Sequence, residues 1–177
     1  MLIATPNFLL RRPEIVDLEA LYRFKNDIDV TATLGGSPRF LSRKDVAEWI
    51  DFHRLQKDEM LWTIADSETD ACIGHVGFYS IQHVNRSAEW GILIGEKGLW
   101  GAGLGRACLD VTVRFGFDEL NLNRIELSVL TTNQRARNLY MSAGFVEEGI
   151  KRQAVFRNGQ YVDLVCMAVL REDATSF

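Results

Sequence analysis

The stretch LWGAGLG, Leu99 to Gly105, sets glycines at 101, 103 and 105 and runs directly into an apolar, helix-patterned segment. Glycines at this spacing let a backbone approach a ligand closely and turn its amide N–H groups to one side. A helix starting there adds its positive dipole end, so the stretch could cradle a pyrophosphate or serve only as a tight turn before a helix. A Walker A loop needs Lys and then Ser or Thr after the last glycine, where Arg106 and Ala107 stand. A dinucleotide fingerprint needs GxGxxG, whereas the spacing is GxGxG. Neither nucleotide fold fits.

The elements that must position such a loop follow from the hydrophobic pattern. FLLRRP reads as a first strand, and a helix capped by Asp17 should follow, with Leu18, Leu21 and Tyr22 on one face. NDIDVTATLGGSPRF has no periodicity and reads as a loop. Ser42 and Asp45 form a capping-box pattern ahead of Val46, Trp49, Ile50 and His53 at helical spacing. LWTIAD and ACIGHVGFYSI, separated by SETD, should pair antiparallel. SAEWGILIG is a further strand in which Gly91 marks a bulge or a close approach.

After the glycines, Leu104, Ala107, Cys108, Val111 and Phe115 hold one face of a helix reaching about Phe117. RIELSVL is a strand, and NQRARNLYMSAGF a shorter helix with Asn133 as its N-cap and Gly144 near its end. Asn158-Gly159 between two strand-like runs is a hairpin signal. The order β-α-α-β-β-β-α-β-α-β-β predicts one mixed α/β domain over residues 1–177.

Composition narrows the function classes. With 47% hydrophobic and 25% charged residues and no apolar run near 18 residues, a soluble globular chain is expected, without a membrane span. In MLIATPNFLLRRPE charge follows the apolar residues instead of leading them, which does not suit a signal peptide. A net charge of -4 argues against broad nucleic-acid binding. Cys72, Cys108 and Cys166 are an odd number without a CxxC pair, read as reduced thiols in a cytoplasmic protein. His53, His75 and His83 have no Cys or carboxylate at ligand spacing, so no metal is expected.

WGAGLG after ILIG, with NQRARNLYMSAGF some thirty residues on, resembles the GNAT superfamily of acyl-CoA N-acyltransferases. The signature Q/R-x-x-G-x-G/A is matched at Gly103 and Gly105 and departed from at Trp100, as in the branch of ribosomal-protein N-terminal and spermidine acetyltransferases. LLRRPEIVDLEAL, NRSAEWGILIG, LNRIEL, NLYMSAGF and FRNGQYVDLVCM carry the resemblance over almost the whole chain.

It implies a mixed, mostly antiparallel, splayed sheet of six to seven strands with about four helices. It also implies acetyl-CoA wedged between the strands of AEWGILIG and RIELSV. Main-chain groups of Ile92, Leu93 and Ile94 would then pair with the pantetheine arm. Amides of Leu99, Trp100, Gly101, Ala102, Gly103, Leu104, Gly105 and Arg106 would hold the pyrophosphate. Asn133 would meet the CoA arm, and Arg135, Arg137 and Asn138 could reach its phosphates. Homodimers are common among such relatives.

Acetyl transfer to an amine asks for a neutral nucleophile, a polarised carbonyl and a proton for the departing thiolate. By the resemblance, Tyr140 is that proton donor; at an unperturbed value near 10 it stays protonated at neutral pH. Glu89 is the first candidate base and His75 the second, with a Glu89–Arg124 ion pair and a sheet hydrogen bond as their structural alternatives. Keeping a lysine-like amine neutral at pH 7 costs about 4.6 kcal/mol, against about 1 kcal/mol for an α-amine.

The C-terminal half is most similar to spermidine acetyltransferases, in GFVEEG and NGQYVD. The acceptor loop that carries adjacent acids in those relatives has Gly35 and Gly36, followed by Arg39, Arg43 and Lys44. That rim suits a small-molecule or peptide amine that also bears an anion: an amino-sugar nucleotide, an amino acid or a protein N-terminus. A polyamine acceptor and a non-catalytic acetyl-CoA-binding module are the alternatives.

Overall fold

The computed structural model describes residues 3–36 and 40–174, so the prediction at Arg39 lies outside the described residues. Eight strands form one sheet: β1 (Ile3–Ala4), β2 (Phe8–Arg11), β3 (Met60–Asp66), β4 (Cys72–Gln82), β5 (Ser87–Ile94), β6 (Arg124–Leu130), β7 (Val146–Arg157) and β8 (Gln160–Leu170). The helices are α1 (Leu18–Asn26), α2 (Ile28–Thr31), α3 (Arg43–Leu55), α4 (Leu104–Asp118) and α5 (Gln134–Ser142). The strand order is β1-β2-β3-β4-β5-β6-β8-β7. Pairs β1–β2, β2–β3, β3–β4, β6–β8 and β7–β8 are antiparallel, and β5–β6 is parallel. The β5–β6 ladder matches Ser87–Glu89 with Arg124–Glu126 and ends there.

Contacts divide the chain into two units. Of the described residues, the first holds 3–32, 40–80 and 91–104, and the second 33–36, 81–90 and 105–174.

In the first unit α1 and α3 pack through Leu21, Val46 and Ile50, with Leu18, Tyr22, Leu41, Trp49 and Cys72 around them. The capping box that starts α3 is present: Ser42 Oγ accepts from the Asp45 amide at 3.2 Å, and Asp45 accepts from the Ser42 amide at 2.7 Å. Asp17 does not cap α1. Its buried carboxylate accepts both guanidinium NH2 groups of Arg11 at 2.8 and 2.9 Å, the Glu14 amide and the Thr63 hydroxyl. Burial alone would raise its pKa, but these donors hold it below the ordinary carboxylate value. The stretch read as a loop contains α2, because Asp27 accepts from the amides of Asp29 and Val30 and so starts a single helical turn.

In the second unit α4 buries Cys108, Leu109, Thr112, Val113, Phe115 and Phe117. The buried face is thus rotated from the one read in the sequence: Ala107 and Val111 are only half-buried, while Thr112 lies inside because Trp90 supplies a partner for its hydroxyl. The Asn158-Gly159 turn forms with φ of 48° and 78° between Arg157 and Gln160, as the hairpin signal requires. Asn133 caps α5 by accepting the Ala136 amide at 3.1 Å, and Gly144 ends it at φ 88°. All three cysteines are free thiols; burial pushes those of Cys72 and Cys108 up to about 12.

Candidate active site

In the first unit, β5 runs through Gly91–Ile94 into the glycine loop, which has a short 3-10 turn at Lys97–Leu99 and then left-handed φ at Gly101 (92°) and Gly103 (84°). A side chain is strained at such angles, which is why glycine stands there. A Cβ at Gly103 would meet nothing within 4 Å, so the turn faces open space. Helix α4 then begins at Leu104, and its leading amides have no acceptor within the helix. Positive-φ glycines followed by a helix start are a backbone arrangement that can present amide donors to an anion.

The strand ahead of the loop is fixed by β4. A Cβ at Gly74 would lie 2.0 Å from the Leu93 carbonyl oxygen, and one at Gly91 3.2 Å from the Tyr79 ring. Gly91 therefore marks the close approach of a ring.

On β4, His75 is buried and neither of its ring nitrogens finds a hydrogen-bond partner among the described residues. Trp49 lies 5.0 Å from it, centroid to centroid, and carries the Lys25 ammonium 3.7 Å above its own ring. Burial, with the charges of Lys25 and His53, drives the His75 pKa well below its ordinary value, so its imidazole is neutral at pH 7. Burial likewise lowers Lys25 to about 8. His53 is held by Glu59.

In the second unit, Tyr140 is buried, with Trp90 at 5.9 Å and Phe145 at 5.9 Å between ring centroids. Burial pushes its phenol up to about 12, above the ordinary value near 10. Glu89 is exposed and stands in register with Glu126. The Glu89–Arg124 pair does not form: Arg124 bonds Glu126 and Glu148 instead, and Glu89 makes no ion pair with a described residue.

The α5 cations divide. Arg137 is bound to Glu147 at 2.7 Å, whereas exposed Arg135 makes no ion pair with a described residue. Asn138 accepts from Gln134 at 2.7 Å. The Arg106 side chain is spent on Asp110 and on the Ser142 carbonyl and hydroxyl, leaving its backbone amide as the group able to face an anion.

Among loop residues 33–36, the carbonyls of Leu34 (2.8 Å) and Gly36 accept from the Arg157 guanidinium, a role not read from the sequence. The FRNG turn could have pointed to it only by placing an arginine at the strand end. Of the expected basic rim, Arg43 pairs with Glu19 at 2.7 Å and Lys44 lies 3.7 Å from Glu48, both at the surface.

Among the described residues no cluster of three or more His, Cys, Asp or Glu could hold a metal ion, and no helix is long and apolar enough to cross a membrane.

Residues 7–146 match the acetyltransferase (GNAT) domain model. A spermidine N(1)-acetyltransferase of Vibrio cholerae is 30% identical over 162 residues, covering 92% of each chain. An uncharacterized N-acetyltransferase, p20, of Bacillus licheniformis is 29% identical over 171 residues, covering 96% of each. The crystal structure of spermidine N-acetyltransferase from Vibrio cholerae in complex with CoA and spermine superposes with a TM-score of 0.88 at 29% identity, over 96% of this chain and 99% of that one.

Proposed function

Because the chain belongs to the GNAT acetyltransferase family, we propose that it moves the acetyl group of acetyl-CoA directly onto a primary amine. The observation that carries this is the positive-φ pair Gly101 and Gly103 opening onto the start of α4, a donor set suited to the CoA diphosphate. Amides from Leu99 to Arg106 would hold that diphosphate, main-chain groups of Ile92, Leu93 and Ile94 the pantetheine arm, and Arg135 with Asn138 the remaining phosphate. Asn133 is engaged as a cap, and only capacity beyond that bond is left for the arm. The co-substrate supplies an activated thioester; the protein supplies orientation and proton traffic.

Direct transfer fits the state of Cys72 and Cys108. Cys72 and Cys108, held near 12, are protonated at neutral pH and do not act as acyl-accepting nucleophiles. Tyr140 is assigned the hydrogen bond to the departing sulfur. Its phenol near 12 binds its proton more tightly than a thiol near 8.5, so it stabilises a thiolate by donation without losing the proton. Glu89, exposed and without a paired cation among the described residues, is assigned as the group that takes the amine proton, directly or through water. His75 is the second candidate: buried, neutral at pH 7, and with neither ring nitrogen hydrogen-bonded to a described residue.

For the acceptor, the relatives favour a polyamine. Glu19 beside Arg43 and Glu48 beside Lys44 partly offset two of the cations that would repel one. A second reading, an amine that also carries an anion, is favoured by Gly35 and Gly36 and by the Arg157 guanidinium bonded to this loop.

Release of free CoA from acetyl-CoA, followed across spermidine, spermine, amino acids, amino-sugar nucleotides and N-terminal peptides, tests both. Turnover led by the polyamines supports the first reading, and turnover confined to the anionic amines the second. CoA binding with no turnover on any amine would leave a non-catalytic binding module.

A further inference from the structure

Trp100 stands where the related signature has Gln or Arg, and the residue is 39% exposed, so burial alone does not account for a tryptophan here. Its indole N–H donates to the Ile94 carbonyl at 2.9 Å. Ile94 is the last residue of β5, and Trp100 immediately precedes the first left-handed glycine.

The loop between them is fastened unevenly. Its first residues are held from outside: the Gly95 and Glu96 amides donate to the Ile73 carbonyl at 2.9 and 3.2 Å. Lys97 bridges Asp27 and Asp29 at 2.8 and 2.9 Å. Beyond Lys97 the backbone bonds stay within the loop, Leu99 to Glu96, Trp100 to Lys97 and Ala102 to Leu99. Among the hydrogen bonds of the described residues, that of Trp100 is the one that ties the second half of the loop back to the strand.

We propose that Trp100 is a positioning residue whose indole N–H locks the glycine turn to the end of β5, so that Gly91–Ile94 and Leu99–Gly105 receive one ligand as a single preformed surface. This rests on the acetyl-CoA reading, in which the strand takes the pantetheine arm and the turn the diphosphate. Without the clamp, the two rotatable glycines must be ordered at the moment of binding, and that entropy is charged only to ligands that use both segments. A glutamine at 100 can reach the same carbonyl through its side-chain amide, whereas phenylalanine keeps a ring and has no donor.

Titration of the whole chain and of W100F and W100Q with CoA and with pantetheine, which lacks the diphosphate, reads the clamp. Expected is a roughly tenfold weaker Kd for CoA in W100F, with pantetheine within about twofold of the parent and most of the CoA affinity recovered in W100Q. Unchanged CoA binding in W100F, equal loss for both ligands, or no recovery in W100Q overturns the proposal. Amide exchange in the unliganded protein is the independent readout: residues 101–105 should exchange faster in W100F and return toward the parent rate in W100Q. A parent chain that binds neither ligand removes the co-substrate assignment, and the exchange rates still decide the clamp.

Discussion

The rings of Trp90 and Tyr140 meet edge to face, 5.9 Å between centroids and 82° between planes. Trp90 is itself pinned by its indole N–H, which donates to Thr112 Oγ1 at 2.8 Å. The phenol is therefore aimed by packing, and removing its oxygen leaves the packing in place. Tyr140→Phe should lower kcat by about 10²-fold or more while KM for acetyl-CoA and Tm stay near the parent values. Steady-state kinetics on the best amine with a thermal melt checks this; an unchanged kcat removes Tyr140 from the chemistry.

Thr112 is the support one step behind. Its hydroxyl accepts from Trp90 and donates to the Cys108 carbonyl at 2.6 Å, all of it buried. Thr112→Val keeps the shape and strands the indole N–H without a partner, which should cost about 1 to 3 kcal/mol in a urea titration. Tyr140 would then be aimed less well, so kcat should fall in the same variant with little change in KM for acetyl-CoA.

The parts legible in the sequence are those set by local chemistry. The Ser42/Asp45 box, the Asn133 cap and the Asn158-Gly159 turn all rest on residues a few positions apart. Partners distant in the chain were not legible. Asp17 reads as a cap, yet Arg11 and Thr63 claim its carboxylate. Arg124 reads as a partner for Glu89, yet Glu148 takes it. The two-residue β1 is too short to show a period, and α2 is one turn set by Asp27. At the candidate site the glycines were visible because φ restricts residue choice. The Trp100 bond to Ile94 was not, because one partner is a carbonyl that any residue could supply.

His75 gives a pH dependence whose sign follows from burial. Its native pKa lies well below the ordinary 6.5, so below about pH 6.5 the unfolded chain takes up a proton that the native protein refuses. Stability must then fall as pH drops through that range. The charged neighbours are Lys25, seated on Trp49, and His53, paired with Glu59; the charges of Lys25 and His53 add to the effect of burial. Urea midpoints at pH 7 and pH 5 should differ more in the parent chain than in His75→Phe, which keeps a ring against Trp49. An equal difference in both would mean that His75 is not held neutral.

Gly74 and Gly77 together separate damage to the fold from damage to the site. Both sit on β4, and a Cβ on either strikes backbone: 2.0 Å from the Leu93 oxygen for Gly74, and 2.5 Å from the Met60 oxygen for Gly77. Backbone cannot swing aside as a side chain can, so both alanine variants should lose about 2 kcal/mol or more of stability. The struck strands differ. Gly74→Ala pushes β5 at Leu93 and Ile94, where the pantetheine arm is assigned, whereas Gly77→Ala pushes β3, which has no assigned part in the site. Measured at a temperature where both variants are folded, KM for acetyl-CoA should rise several-fold in Gly74→Ala and stay near the parent value in Gly77→Ala. A matched rise in both variants would trace the effect to global loosening of the sheet and take the arm away from β5.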